Sequence, residues 1–170
     1  MESNTVPLNP RHYTNDKWTL YYHLPNENDW SISGYKIIMS NINTIEEVNE
    51  LTKKVNENIV KNCMLFVMRH NIEPLWEHSS NKDGGYFSYK ILNKNVYNVW
   101  NTLFKLLCGE SLSSDEISTH INGITISPKK NFCIIKIWFD NIDYQDPSVI
   151  TKIEDLSLNG CLFKKHKPEE

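Results

Sequence analysis

The chain has 170 residues, 39% of them hydrophobic, and a formal net charge of -3. That length suits one domain able to bury roughly two thirds of the surface of its unfolded chain without help from disulfides or metal. The net negative charge argues against binding to nucleic acid by a dense field of Lys and Arg, so any RNA contact has to be local.

The first ten residues carry two prolines and little periodicity and are expected to form a flexible N-terminal tail, with residues 11–170 as the single folded domain. The start lacks the basic segment and apolar run of a signal peptide, and no apolar stretch approaches the ~20 residues that span a bilayer. Cys63, Cys108, Cys133 and Cys161 are widely spaced with no C-x-x-C, and Cys63 and Cys133 sit in apolar stretches, as free thiols in a reducing compartment do. The expectation is a cytoplasmic protein with no membrane association and no cofactor or metal.

Trp18, Leu20 and Tyr22 alternate with Thr19, Tyr21 and His23, which predicts a strand over Lys17 to His23. Further short strands are predicted at Tyr35 to Met39, Cys63 to Arg69, Phe87 to Leu92, Gly123 to Ser127, Cys133 to Phe139 and Cys161 to Lys165. Three segments show helical spacing instead. In the first, Thr44 and Glu47 make a capping box, and Ile45, Val48, Leu51, Val55 and Ile59 recur on one face. The second opens at Asn95, runs through Val96, Val99, Trp100, Leu103, Leu106 and Leu107, and stops at Gly109. The third starts at Asp146 with Pro147 in its first turn, turns Val149, Ile150, Ile153 and Leu156 inward, and ends near Asn159-Gly160. Hairpins broken by single helices, with no regular βαβ repeat, predict an α+β fold whose antiparallel sheet is backed by these helices.

Tryptophan context separates the five indoles. Trp18 and Trp100 lie on apolar faces of a strand and a helix and belong in the core. Trp30 and Trp76 lie in polar, turn-like strings, Asn26-Glu27-Asn28-Asp29-Trp30-Ser31 and Glu73-Pro74-Leu75-Trp76-Glu77-His78. An indole placed so either covers a core edge, the commoner use, or faces a ligand.

The string Ile72-Glu73-Pro74-Leu75-Trp76-Glu77, followed by Asn81-Lys82-Asp83-Gly84-Gly85, resembles the "GI-x-PMWE … N-x-x-GG" signature of the eukaryotic translation initiation factor 4E family. His12 and Trp18-Thr19-Leu20-Tyr21-Tyr22 resemble its start, and Thr44-Ile45-Glu46-Glu47, Trp100 to Gly109-Glu110 and Ile135-Lys136-Ile137-Trp138 resemble later motifs, in order and at near-family spacing to about Lys165. The resemblance is to a divergent member. Abundant Asn, Ile and Lys, residues with A/T-rich codons, hint at an A/T-rich genome, viral or otherwise.

The resemblance implies a strongly curved sheet, a cupped hand with three helices on its convex side, and a monomer that holds the 7-methylguanosine cap of an mRNA. It puts Trp30 and Trp76 on the two faces of the methylated base, Glu77 on its N1 and N2 edge, and Trp138 at the N7-methyl, where a core role for Trp138 is compatible. N7-methylation gives the base a delocalised positive charge, which an indole face attracts by ~0.5 to 2 kcal/mol or more when dry. The base edge presents only donors, so a carboxylate fits it.

For the triphosphate the chain departs from the pattern. Lys129 stands where the family has arginine, and Ile134 where it has a lysine. Lys136, on the face of Trp138 by strand alternation, is a candidate replacement with Lys130 beside it, the alternative being a solvated lysine at the sheet rim. Tyr86 replaces an arginine and is a candidate for the cap's chain or a second nucleotide. Lys164, Lys165 and Lys167 lie near the end of the sequence, which stops about where the family's mobile second-nucleotide loop begins, so contact beyond the cap stays open.

On the convex back, where the family binds Tyr-x-x-x-x-Leu-hydrophobic helices of scaffold proteins, Asn49 stands for a tryptophan, Asn101 and Lys105 for apolar residues, Thr102 for an acid, and Ile45 alone stays apolar. That predicts a scaffold other than the ordinary one; a cap-binding repressor or decoy and a back that binds nothing are the competing readings. A cap-acting hydrolase is disfavoured, because His12, His23, His70, His78, His120 and His166 show no His-x-His-x-His cluster and no Gly-rich phosphate loop is present.

Overall fold

Seven extended segments form the frame: β1 Tyr13–His23, β2 Tyr35–Thr44, β3 Met64–Arg69, β4 Gly85–Leu92, β5 Ile121–Pro128, β6 Phe132–Phe139 and β7 Leu162–Lys165. The computed structural model describes residues 11–168, so the expected tail over residues 1–10 lies outside the described residues. The strands pair antiparallel throughout in the order β2-β1-β3-β5-β6-β4-β7, a curved sheet that does not close. Successive side chains of a strand point to opposite faces, so cross-strand partners share a face. One face is apolar: Trp18, Leu20, Leu65, Val67, Phe87, Ile91, Ile124, Ile126, Ile135 and Ile137 are all buried in the main core. The other carries a mixed row in which Tyr21 pairs with Phe66, Phe66 with Thr125, Thr125 with Lys136 and Lys136 with Ser88, while Trp138 pairs with Gly123 and Tyr86.

The convex, apolar face is covered chiefly by α3, Asn93–Cys108, which packs on β1, β4, β5 and β6 and against α1, Ile45–Lys54, and α2, Glu57–Asn62. Its stripe Val96, Val99, Trp100, Leu103, Phe104 and Leu107 is buried, and Trp18 and Trp100 are both core residues as expected. Gly109 ends the helix as expected, while its start lies two residues before Asn95. At α1 the expected cap forms on one side and is displaced on the other: Thr44 Oγ1 accepts from the Glu47 amide at 3.2 Å, while the Glu47 carboxylate reaches back to the Thr44 hydroxyl at 2.9 Å and the Asn43 amide at 3.3 Å, one residue before the N-cap.

Two helix expectations need correction. The first helix does not continue to Ile59; Val55 turns out at ψ 84° and Asn56 Oδ1 accepts from the Ile59 amide, starting α2 with its own cap. An N-cap residue inside an otherwise helical pattern is the cause. The third helix shrinks to one 3-10 turn, Pro147–Val149, with Asp146 capping Ser148 as its composition suggested. Beyond it the backbone is drawn off by tertiary bonds, the Thr151 amide donating to Leu112 O at 2.7 Å and its hydroxyl to Ser111 O at 2.7 Å. Ile150, Ile153 and Leu156 are buried all the same. A single-turn helix α4, Asp115–Ser118, capped by Ser114, was not anticipated.

Several strands outrun the sequence pattern, β1 beginning at Tyr13 and β2 running to Thr44. The added residues are mostly polar, with the buried Ile42 opposite Trp18 as the exception, and they pair through register shifts, which period-two hydrophobicity does not reveal. All four cysteines are free; Cys108 and Cys133 are buried, and Cys63 and Cys161 partly so.

Thr44→Ala should lower the unfolding free energy by about 1 kcal/mol, the usual cost of losing an N-cap. Urea denaturation followed by circular dichroism checks this, with an unchanged midpoint counting against the capping box.

Candidate functional site

On the face away from the helices lies a cavity of about 370 Å³ whose lining includes Trp30, Tyr35, Phe66, Trp76, Glu77, Tyr86, Lys136, Trp138 and His166. Sheet residues form its floor and two loops its walls. The loop between β1 and β2 brings Trp30, 54% exposed, and the loop between β3 and β4 brings Trp76, 37% exposed. Leaving two large indoles this open forgoes their burial, so something must hold each loop in place.

For Trp76 the anchor is Asn81, which is fully buried. Its amide nitrogen donates to Leu75 O at 2.8 Å and Glu73 O at 3.1 Å, and its Oδ1 accepts from Asn122 at 2.9 Å. The turn closes with the Gly84 amide donating to Asn81 O at 2.9 Å. A Cβ on Gly84 would stand 1.9 Å from Phe139 O, and one on Gly85 2.5 Å from Lys164 O. The asparagine and both glycines of the motif are thus structural, fixing the Trp76 loop to β5, β6 and β7.

For Trp30 the anchor is His23, a buried side chain at the end of β1. The two rings stack with centroids 3.9 Å apart and planes 5° from parallel. Asp29 accepts from the amide and hydroxyl of Ser31, and Glu27 accepts from the Asp29 amide, tightening the turn.

Glu77 is exposed beside Trp76, and no hydrogen bond or ion pair engages its carboxylate among the described residues. Its charge reaches Tyr35, whose phenol is pushed up to about 12, first by burial and then by Glu77. Trp138 is 7% exposed, with an indole N–H that has no hydrogen-bond partner among the described residues. It therefore serves as both core residue and cavity wall.

Lys136 projects from β6 beside Trp138, its Nζ 4.5 Å from the centroid of Tyr86. Its ammonium is held below the usual lysine range by burial, then by the charges of Lys164 and Lys129, neither of which is part of the cavity lining. None of them is in an ion pair among the described residues. Lys130 is exposed in the turn between β5 and β6 and is not part of the cavity lining. Tyr86 is part of the wall, and burial raises its phenol.

The sequence reading missed Tyr35, His23 and His166 as site residues. Tyr86 pairs with Lys164, which puts the even-numbered residues of β7 on the cavity side, a parity that would have carried His166 there too. Its ring lies 4.6 Å from that of Trp138. On the opposite face, Asn49, Thr102 and Lys105 are exposed on α1 and α3, with Ile45 and Asn101 partly buried. Among the described residues no cluster of three or more His, Cys, Asp or Glu could hold a metal, and no helix is long and apolar enough to cross a membrane.

Residues 13–167 match the sequence model of the family described as Eukaryotic initiation factor 4E. A relative called eukaryotic translation initiation factor 4E homolog, from Acanthamoeba polyphaga mimivirus, is 30% identical over 134 residues, covering 66% of this chain and 49% of that protein. Eukaryotic translation initiation factor 4E of Eremothecium gossypii is 30% identical over 139 residues, 78% of this chain and 64% of that one. The chain thus spans about half to two thirds of the length of these relatives. Among solved structures, the fold is shared with C. elegans eIF4E-3 in complex with the 4E-binding protein Mextli and cap analog, at TM-score 0.69 and 19% identity over 78% of this chain and 76% of that one. It is shared too with Schistosome eIF4E complexed with m7GpppG and 4E-BP, at TM-score 0.69 and 24% identity over 78% and 74%.

His166 makes the stability of this face depend on pH. Burial first, and Lys136 second, push its imidazole down from 6.5 to about 4. The unfolded chain therefore takes up the proton first, so stability is fully present above about pH 6.5 and lost as pH falls toward 4. The loss should be on the order of 3 kcal/mol across that window. Urea denaturation at a series of pH values should show it, and His166→Phe should flatten that part of the curve; an unchanged slope would remove His166 as its cause.

Proposed function

The chain belongs to the eukaryotic initiation factor 4E family, and on that footing we propose that its slot binds the 7-methylguanosine 5′ cap of mRNA and that the protein delivers capped mRNA to translation initiation in the cytoplasm. The role is one of binding, not catalysis, and is carried out by a monomer. The observation that carries this reading is the exposed pair Trp30 and Trp76 on one cavity, with the unpaired carboxylate of Glu77 beside them. Methylation at N7 spreads positive charge over the base, and each indole face adds a cation–π attraction that plain guanine lacks. Glu77 accepts from N1–H and the exocyclic amine, an edge that offers only donors. Trp138 and the sheet floor meet the N7-methyl. Support also comes from the relatives named as initiation factors and from the solved neighbours carrying a cap analog and m7GpppG.

Tryptophan fluorescence should be quenched by 7-methyl-GTP at far lower concentration than by GTP. Trp30→Ala or Trp76→Ala should each cost on the order of 2 kcal/mol or more, since the desolvated cation loses one of its faces. Glu77→Ala should cost at least as much, because it strands two buried donors of the ligand. Equal affinity for the methylated and unmethylated nucleotides would overturn the assignment.

Lys136, backed by Lys129, takes the phosphate chain, with Tyr86 alongside it. Lys130, outside the lining, assists through long-range charge. Lys136→Ala should weaken 7-methyl-GTP more than 7-methyl-GMP and reduce the salt dependence. Titrations of both nucleotides at two ionic strengths provide the comparison, and an unaltered triphosphate preference would take Lys136 out of the site.

The back formed by Ile45, Asn49, Asn101, Thr102 and Lys105 engages a scaffold shaped to it and not the ordinary apolar-anchored helix. Interface tryptophans are frequent hot spots worth ≥ ~2 kcal/mol, and Asn49 offers no such surface. Lys105 must keep its ammonium in water. The same polarity also favours a second reading, a cap-binding repressor that competes for caps without recruiting the initiation machinery. Calorimetry with a Tyr-x-x-x-x-Leu-hydrophobic peptide should show binding roughly a hundredfold to a thousandfold weaker than a full set of apolar anchors supports. Submicromolar binding through this surface would refute the altered back.

A further inference from the structure

We infer that His23 is the positioning residue that fixes Trp30 in its ligand-ready orientation, so that an incoming planar ring joins a stack already two layers deep. The inference rests on the slot reading for its consequence and on geometry for its substance. His23 ends β1 and is 1% exposed. Its ring lies flat under Trp30, 3.9 Å away at 5°, while Tyr35 meets it edge-on at 4.9 Å and 70°. The imidazole is therefore wedged between the floor and the indole.

Its nitrogens tie the same loop a second time. Nε2 lies 2.9 Å from Asp29 O and Nδ1 3.1 Å from Leu24 O, so whichever nitrogen carries the proton donates to a carbonyl at the start of the loop or at its middle. Gly34 lets this close approach occur, since a Cβ there would stand 1.7 Å from Asp29 O and 3.2 Å from His23 Nε2. Trp30, which remains half exposed, thus has one face occupied by its own chain and the other open to the cavity.

A loop aromatic without such a floor samples many rotamers, and a ligand must select one of them before stacking. A floor removes that step. The gain appears in the association rate, because less ordering remains to be done during the encounter.

The experiment is fluorine NMR on the full chain labelled with 5-fluorotryptophan, the Trp30 line being assigned by its loss in Trp30→Phe. In the ligand-free protein the Trp30 line should be single and narrow. His23→Ala should broaden or split it while the lines of buried Trp18 and Trp100 stay put, and stopped-flow association with 7-methyl-GTP should slow roughly tenfold with a smaller change in dissociation. His23→Phe, which keeps a stacking ring, should restore both the line and most of the rate. His23→Gln, which can still donate a hydrogen bond but has no ring, should behave like His23→Ala and stands in for it if that variant unfolds. An unchanged Trp30 line in both ringless variants, or a His23→Phe protein as impaired as they are, would overturn the role of His23. The spectra are recorded without ligand, so they decide this point even if 7-methyl-GTP fails to bind, a failure that would count against the slot assignment instead.

Discussion

Strand β6 is hydrogen-bonded on both sides, to β5 and to β4, and this double pairing decides which of its side chains meet the helices and which meet the cavity. Cys133, Ile135, Ile137 and Phe139 go one way and are fully buried; Lys136 and Trp138 go the other. A slip of one residue would bury Lys136 against α3 and turn isoleucines into the cavity. The apolar face is so large that no such slip is tolerable, since each fully buried Ile or Val is worth about 1.5–3 kcal/mol. The chemistry of the slot is therefore held in place by the core on the reverse of the same strand.

What the sheet cannot fix is the position of the two loops, and there the structure relies on hydrogen bonds and close backbone approach. Asn81 satisfies two carbonyls of the Trp76 loop while itself satisfied by Asn122, a closed set with no orphaned amide. Gly84, Gly85 and Gly34 stand where any side chain would strike a carbonyl. Rigid sheet below and tethered loops above let hydrophobic rings stay exposed without collapsing onto each other.

Much of this was legible in the sequence, for reasons that differ by element. All seven strands were legible as short segments, β1 by clean alternation and β3 as a continuous apolar run buried on both faces, and the first helix through the Thr44 and Glu47 pair at its start. The third helix misled because its inward residues are buried as a helix would bury them, while the backbone finds its partners at Ser111 and Leu112, about forty residues away in sequence and invisible to local pattern. Among site residues, the polar surroundings of Trp30 and Trp76 set them apart, and the motif around Trp76 singled out Asn81 and the glycines. His23 looked like the outward end of an alternating strand and His166 like part of a lysine-rich stretch. Only the register shows that both rings turn toward the slot.

The cluster of Lys129, Lys136 and Lys164 has an implication for the empty protein. Overall the chain is slightly acidic, yet burial first, and the like charges of Lys164 and Lys129 after it, hold the Lys136 ammonium below the usual lysine range. An unfilled slot thus carries an electrostatic debt that counter-ions in solution settle only in part. If the slot takes a phosphate chain, as proposed, added salt relieves the repulsion in the free protein but loosens its hold on those phosphates. Ionic strength would then pull the free and bound states in opposite directions, the phosphates serving as the acidic partner of Lys136.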